Sequence, residues 1–215
     1  NKHITPQIPS RGTIGEADIL LASHVGSVMI GEWKAKVDGK VVTGAEALKM
    51  KGITPLVPEG KDALAILSNS SVAMAYALEG YKDAYQVVKT TPVVFGLSLE
   101  GLNGNVAPIL PQTVGVRPFP GLANAATSMR VALKGSYLWQ PNADRPLQDP
   151  LSYRTTVYVL AEADNALKDL KKVIDVQINS GDDNPATILN ASQDYRAESK
   201  QVANYFVDGK DVKGA

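Results

Sequence analysis

The chain has 215 residues, 44% of them hydrophobic, with 22 basic and 22 acidic side chains in balance. These are ordinary values for a globular protein of one domain, or one domain and part of another. The balance gives no electrostatic case for nucleic acid, and the absence of cysteine excludes disulfides and thiol catalysis and fits a cytoplasmic setting. His3 and His24 are too few ligands for a structural zinc site. The longest apolar stretch, Ala63 to Leu78, is interrupted by Ser68-Asn69-Ser70-Ser71 and is too short to span a membrane. No charged-then-apolar leader opens the chain, and with Asn1 at one end and VDGKDVKGA at the other it reads as a piece of something longer.

Taken in order, residues 1–15 carry two prolines and two glycines and read as extended loop. Glu16 to Glu32 follows with helical spacing of Ile19, Leu20, His24, Ser27, Val28 and Ile30, its first turn bearing Glu16 and Asp18 where acidic groups suit the helix dipole. Trp33 to Val42 alternates about Asp38-Gly39, a hairpin signal. Thr43 is placed to cap a short helix that runs to Lys51 and stops at Gly52. Lys61 to Lys89 predicts one long helix, with Leu64, Leu67, Ala75, Leu78 and Val87 buried, and a second helix is expected after Pro92. Prolines at 108, 111, 118 and 120 make Gly101 to Gly121 a long loop. Leu122–Leu133 and Ser152–Ile178 close the list of predicted helices, and Asp182-Asp183-Asn184-Pro185 breaks the last of them. The pattern is mainly α with one small β-hairpin.

Several motifs invite chemistry. Gly12-Thr13-Ile14-Gly15 leads into a helix, where free N–H groups hold anions, although a plain capping turn is the better explanation. Gly60-Lys61 resembles the end of a phosphate loop, yet Asp62 stands where Ser or Thr is needed. Asp182-Asp183 lacks the further carboxylates of a calcium loop. His24 falls inside an apolar pattern and reads as a satisfied core histidine. Arg154 lies near Leu151, Val157 and Leu160, where an unpaired guanidinium is costly and a carboxylate is its natural partner. Spacing leaves open whether that carboxylate is Asp149, Asp164 or a ligand.

Four segments in the same order resemble the aromatic amino-acid ammonia-lyase family, which acts on histidine, phenylalanine or tyrosine. Pro9-Ser10-Arg11-Gly12-Thr13-Ile14-Gly15, with His24 and Ile30-Gly31-Glu32, is similar to the segment around that family's prosthetic group. Lys61-Asp62-Ala63-Leu64-Ala65-Ile66-Leu67 is similar to its Lys-Glu-Gly-Leu-Ala-Leu helix start. Gln148-Asp149 with Ser152 and Arg154, and Asn179 with Asp183-Asn184-Pro185, resemble its Gln-Asp-x-Tyr-Ser-x-Arg and Asn-Ser-x-x-Asp-Asn-Pro motifs.

The resemblance implies a long-helix bundle of the ammonia-lyase/aspartase-like type. Residues 1–60 would form the prosthetic-group-loop region with the hairpin, and 61–215 the start of the bundle. It also implies a cytoplasmic homotetramer with active sites built from several subunits and a small amino-acid or carboxylate ligand. Arg154 carries over as the partner of the substrate carboxylate. The family's asparagine beside the prosthetic group aligns with Ser68, with Asn69 adjacent, and its tyrosine before the arginine aligns with Leu151.

At Gly15-Glu16-Ala17-Asp18 the chain departs from the family. The run is one residue shorter than the family's, and no hydroxyl lies between Thr13 and Ser23. The methylidene-imidazolone expected for the family arises from an internal Ala-Ser-Gly, so these residues predict no such cofactor. Glu16 stands in its place as a candidate general base. The parent is therefore expected to eliminate ammonia from an aromatic amino acid or a related acid. The alternatives are a non-catalytic relative serving as an oligomeric scaffold or small-acid binder, and an anion-binding module on the Gly12–Gly15 turn.

Overall fold

A computed structural model describes residues 2–13, 15 and 17–182. The chain divides into two compact units, one made of residues up to Tyr76 together with those from Gln177 onward, the other of Ala77–Val176. Among the described residues no helix is long and apolar enough to cross a membrane.

The first unit carries a three-stranded antiparallel sheet, β1 (Thr5–Pro6), β2 (Lys34–Val37) and β3 (Lys40–Thr43), with β2 in the middle. The predicted hairpin is present. Asp38 (φ 49°) and Gly39 (φ 84°) are both left-handed, the geometry a two-residue turn between twisted strands requires. Ala35 and Val37 alternate inward on β2 and pack with Val28 and Ala47, which come from helices α1 (Ile19–Met29) and α2 (Gly44–Met50). Thr43 caps α2 as expected, in a full capping box with Glu46, and Gly52 (φ 65°) follows the helix end.

The α1 expectation needs correction. Ala17 has φ 47°, which a right-handed helix cannot include, so the helix starts at Ile19. Its buried stripe is Leu21, Ala22 and Val28, while Ile19, Leu20 and Ile30 are exposed.

The predicted 61–89 helix is also two elements. Helix α3 (Asp62–Leu67) ends at Ser68, and α4 begins at Ser71 and runs unbroken to Leu102, through Pro92. A proline removes one backbone donor and crowds the preceding turn, which predicts a break. Here Pro92 is buried, and Phe95, Gly96 and Leu99 follow it on the buried face. Packing on that face offsets the lost bond. Leu64, Ala75 and Val87, expected to be buried, are exposed.

The second unit holds the larger core. Phe95 and Leu99 of α4 meet Leu122, Ala125, Ala126 and Met129 of α6 (Leu122–Ala132) and Val157, Leu160 and Ala161 of α7 (Leu151–Gln177). The i, i+3, i+4, i+7 spacing on α6 places its whole apolar stripe inward. The predicted loop 101–121 is not structureless. It contains a 3-10 turn, Ala107–Ile109, and a short helix α5 (Pro111–Gly115), whose prolines occupy first-turn positions where the missing N–H costs nothing.

Candidate active site

The turn expected to occupy the electrophile's place lies in the first unit. Gly15 has φ 88°, and the hydroxyl of Thr13 accepts a hydrogen bond from Gly15 N (3.1 Å) and donates to Ala17 O (3.3 Å), so it is used in closing the turn. Glu16 lies outside the described residues, as do Asp183, Asn184 and Pro185.

Asp18 is almost fully buried and ties this turn to the start of α4. Its backbone N–H donates to Asn69 O (2.8 Å), and its carboxylate accepts from Ala73 N (2.8 Å). The dipole role expected of Asp18 on its own helix is corrected by this geometry. Its side chain makes no cap bond to α1 and serves the positive end of α4 instead.

Asn69 and Asp182 complete the cap. Ser71 N donates to Asn69 Oδ1 (3.0 Å), and Ser70 N donates to the Asp182 carboxylate (2.9 Å), which also accepts from Gln177 Nε2 (2.9 Å). The Asn69 amide gives both its hydrogens to the last carbonyls of α3, Ala65 O (2.9 Å) and Ile66 O (2.8 Å). Asn69 is thus spent on joining α3 to α4. Ser68, half-buried beside it, has a hydroxyl with no hydrogen-bond partner among the described residues. Of the two residues proposed to line a site here, Ser68 is the one with capacity for a ligand.

His24 is partly buried, its ring edge-on to Trp33 with centroids 4.8 Å apart. Its Nδ1 lies 2.6 Å from Leu20 O. A carbonyl only accepts, so Nδ1 carries the proton and the ring is held as a packed, satisfied group.

Arg154 lies in the second unit, one turn into α7. Its Nε donates to the backbone carbonyl of Asp149 (3.0 Å). Neither carboxylate expected from the sequence pairs with it. Asp149 is buried and accepts from Asn105 N (2.7 Å), and Asp164 pairs with Lys168 one turn further along. Among the described residues Arg154 has no carboxylate partner. Arg154 lines an open cleft of about 320 Å3, together with Asn105, Thr113, Leu147, Gln148 and Tyr158. The tether at Nε fixes the plane of the fork while leaving the two ends for an anion. Tyr158 was not singled out from the sequence. Its position four residues after Arg154, on the same helix face, is the signal that would have found it. Among the described residues no group of histidine and acidic side chains is arranged to hold a metal ion.

The sequence profile of the aromatic amino acid lyase family matches residues 1–206, and the chain belongs to that family. It is 30% identical over 206 residues to a histidine ammonia-lyase of Sorangium cellulosum, covering 95% of this chain and 40% of that protein. Among solved structures it is similar to ergothionase, an ergothioneine-degrading enzyme from Treponema denticola, with a TM-score of 0.77 and 32% identity over 86% of this chain and 37% of that one. It is likewise similar to a Pantoea agglomerans phenylalanine aminomutase, with a TM-score of 0.78 and 28% identity over 86% of this chain and 39% of that one. The chain therefore spans about two fifths of the length of the relatives it matches. The fold is the mainly helical one of ammonia-lyases and aminomutases.

Proposed function

We propose that the full-length protein is a carbon–nitrogen lyase that eliminates ammonia or an amine from an aromatic amino acid or a related acid. The observation that carries this reading is Arg154, whose guanidinium is held by Asp149 O and which, among the described residues, has no carboxylate partner in its cleft. Such a fork recognises the substrate's carboxylate through two parallel hydrogen bonds and so orients the β-carbon for proton loss. Ser68 is a candidate substrate-binding residue, its hydroxyl without a hydrogen-bond partner among the described residues. Glu16 is the candidate general base, since a carboxylate abstracts a proton once burial raises its pKa.

The residues of the Gly15–Asp18 turn do not fit the family's electrophile. They carry no serine to dehydrate, and the nearby Thr13 hydroxyl is committed within the turn. The chemistry proposed here does without that group. This favours a second, narrower reading of the same site. A leaving group that departs unaided, such as the trimethylammonium of a betaine, needs no electrophilic activation, and the likeness to an ergothioneine-degrading enzyme supports a substrate of that class.

The full-length protein, incubated with histidine, phenylalanine, tyrosine and the trimethylbetaine of histidine, is expected to give an unsaturated acid seen by ultraviolet absorbance. Product from the free amino acids supports ammonia elimination, and product from the betaine alone supports the second reading. No product from any of them returns the scaffold interpretation. Glu16→Gln is expected to abolish turnover, and an unchanged rate removes the base role.

A homotetramer in the cytoplasm completes the proposal. Supporting the assembly, Val87, Val94 and Leu97 of α4 and Val159 and Val173 of α7 are more than half exposed. Light scattering on the full-length protein measures its assembly.

A further inference from the structure

We propose that Tyr158 is a specificity-determining residue of the Arg154 cleft, its phenol hydroxyl donating to the same anion that the guanidinium clamps. The inference rests on the carboxylate-binding reading of Arg154 and names a second donor for it.

Four observations converge. Tyr158 follows Arg154 by one turn of α7, and helix side chains lean toward the N-terminus, so its ring covers the turn that bears Arg154. Both residues line the one cleft. The Tyr158 ring packs against the core of the second unit, which holds it in place, yet its hydroxyl has no hydrogen-bond partner among the described residues. By contrast Tyr137 spends its hydroxyl on Glu100 O (2.5 Å). Finally, Tyr158 and Thr113 also line a neighbouring cleft of about 490 Å3, so Tyr158 is shared by two concavities. A rigid ring bearing an unspent donor beside an Arg fork suits a planar carboxylate, because the fork and the phenol reach different lone pairs of its two oxygens.

The test uses the full-length protein and two unreactive probes, 3-phenylpropionate and its uncharged amide 3-phenylpropanamide, titrated by calorimetry. In Tyr158→Phe, affinity for the carboxylate is expected to fall roughly tenfold, the order of one hydrogen bond to a charged group, with the amide within twofold of wild type and the melting temperature unchanged. Equal weakening of both probes would make Tyr158 a packing wall only, and no change in either would remove it from the site; both outcomes overturn the proposal. Arg154→Gln separates the two levels. If that variant loses the carboxylate while Tyr158→Phe does not, the lyase reading stands and the Tyr158 role fails. If Arg154→Gln binds like wild type, the clamp itself fails and takes this inference with it.

Discussion

At Thr43 and Glu46 each side chain accepts a hydrogen bond from the other residue's backbone N–H across the first turn of α2. Glu46 N donates to Thr43 Oγ1 (3.3 Å), and Thr43 N donates back to Glu46 Oε2 (3.1 Å). The backbone bond from Thr43, and then the side-chain bond from it, hold the Glu46 carboxyl below its ordinary value. A carboxyl lowered in the folded chain stabilises fully above its unfolded value and loses that contribution as pH falls through the lowered one. Thr43→Ala should therefore bring the Glu46 titration, followed by carbon NMR, back up toward normal. It should also cost about 1 kcal/mol in urea melts.

Gly44, the next residue, is required for space. A Cβ there would stand 2.0 Å from Glu32 O, a backbone atom that cannot swing aside. Gly44→Ala is expected to destabilise by about 1–3 kcal/mol or to displace the hairpin, read as a lowered melting temperature and shifted β2–β3 amide resonances. The capping box was legible in the sequence because it is written within four residues. The clash was not, because Glu32 meets Gly44 only through the hairpin that folds between them.

Among the elements, α4 shows the same division most clearly. Its start is set by a local side chain, Asn69, and by two from distant parts of the chain, Asp18 and Asp182, which take the N–H groups of Ser71, Ala73 and Ser70 in turn. Asp18→Ala leaves the Ala73 donor without its acceptor and should cost about 1–3 kcal/mol, whereas Asp18→Asn, which keeps an oxygen in place, should cost less; thermal melts of the two variants decide. Periodicity alone carries the helix signal from 61 to 89 without a break and stops it at Pro92. The observed break at 68–70 depends on Asn69 bonding carbonyls of α3 with its amide and Ser71 with its oxygen. Passage through Pro92 depends on a buried face that continues to Leu99. The first rests on bonds within four residues that apolar periodicity does not register, and the second is not a local property at all. Arg154 is a parallel case, since its sequence neighbours Asp149 and Asp164 were eligible partners and the fold turned both elsewhere.

On the scale of the whole molecule, each of the two units has its own apolar cluster, and the larger draws on α4, α5, α6 and α7 at once. Leu99 sits at 0% exposure in it, and a Cβ on Gly104 would come within 2.4 Å of Leu99 Cδ1. Leu99→Ala should cost about 2–5 kcal/mol through the cavity it leaves. Gly104→Ala should cost about 1–3 kcal/mol by crowding. Because the second substitution fills part of the space opened by the first, the double variant should lose less than the sum; strict additivity in denaturant melts would show that the two do not share one packing site.

The sequence by itself determined the elements whose causes are local: the Asp38-Gly39 hairpin, the Thr43 cap, the α6 and α7 helices and the mainly helical class. It also determined one chemical fact, that no serine stands in the Gly15–Asp18 turn, because that depends on composition and not on conformation. Only the tertiary structure decided which side chains are spent and which remain available. Asp18 and Asp149 are consumed by backbone N–H groups remote from them in the chain, while among the described residues Ser68, Arg154 and Tyr158 keep unspent polar atoms. The reason is that a hydrogen bond is satisfied once, by whichever partner the folded chain brings within reach, and sequence spacing does not rank partners that only folding brings together.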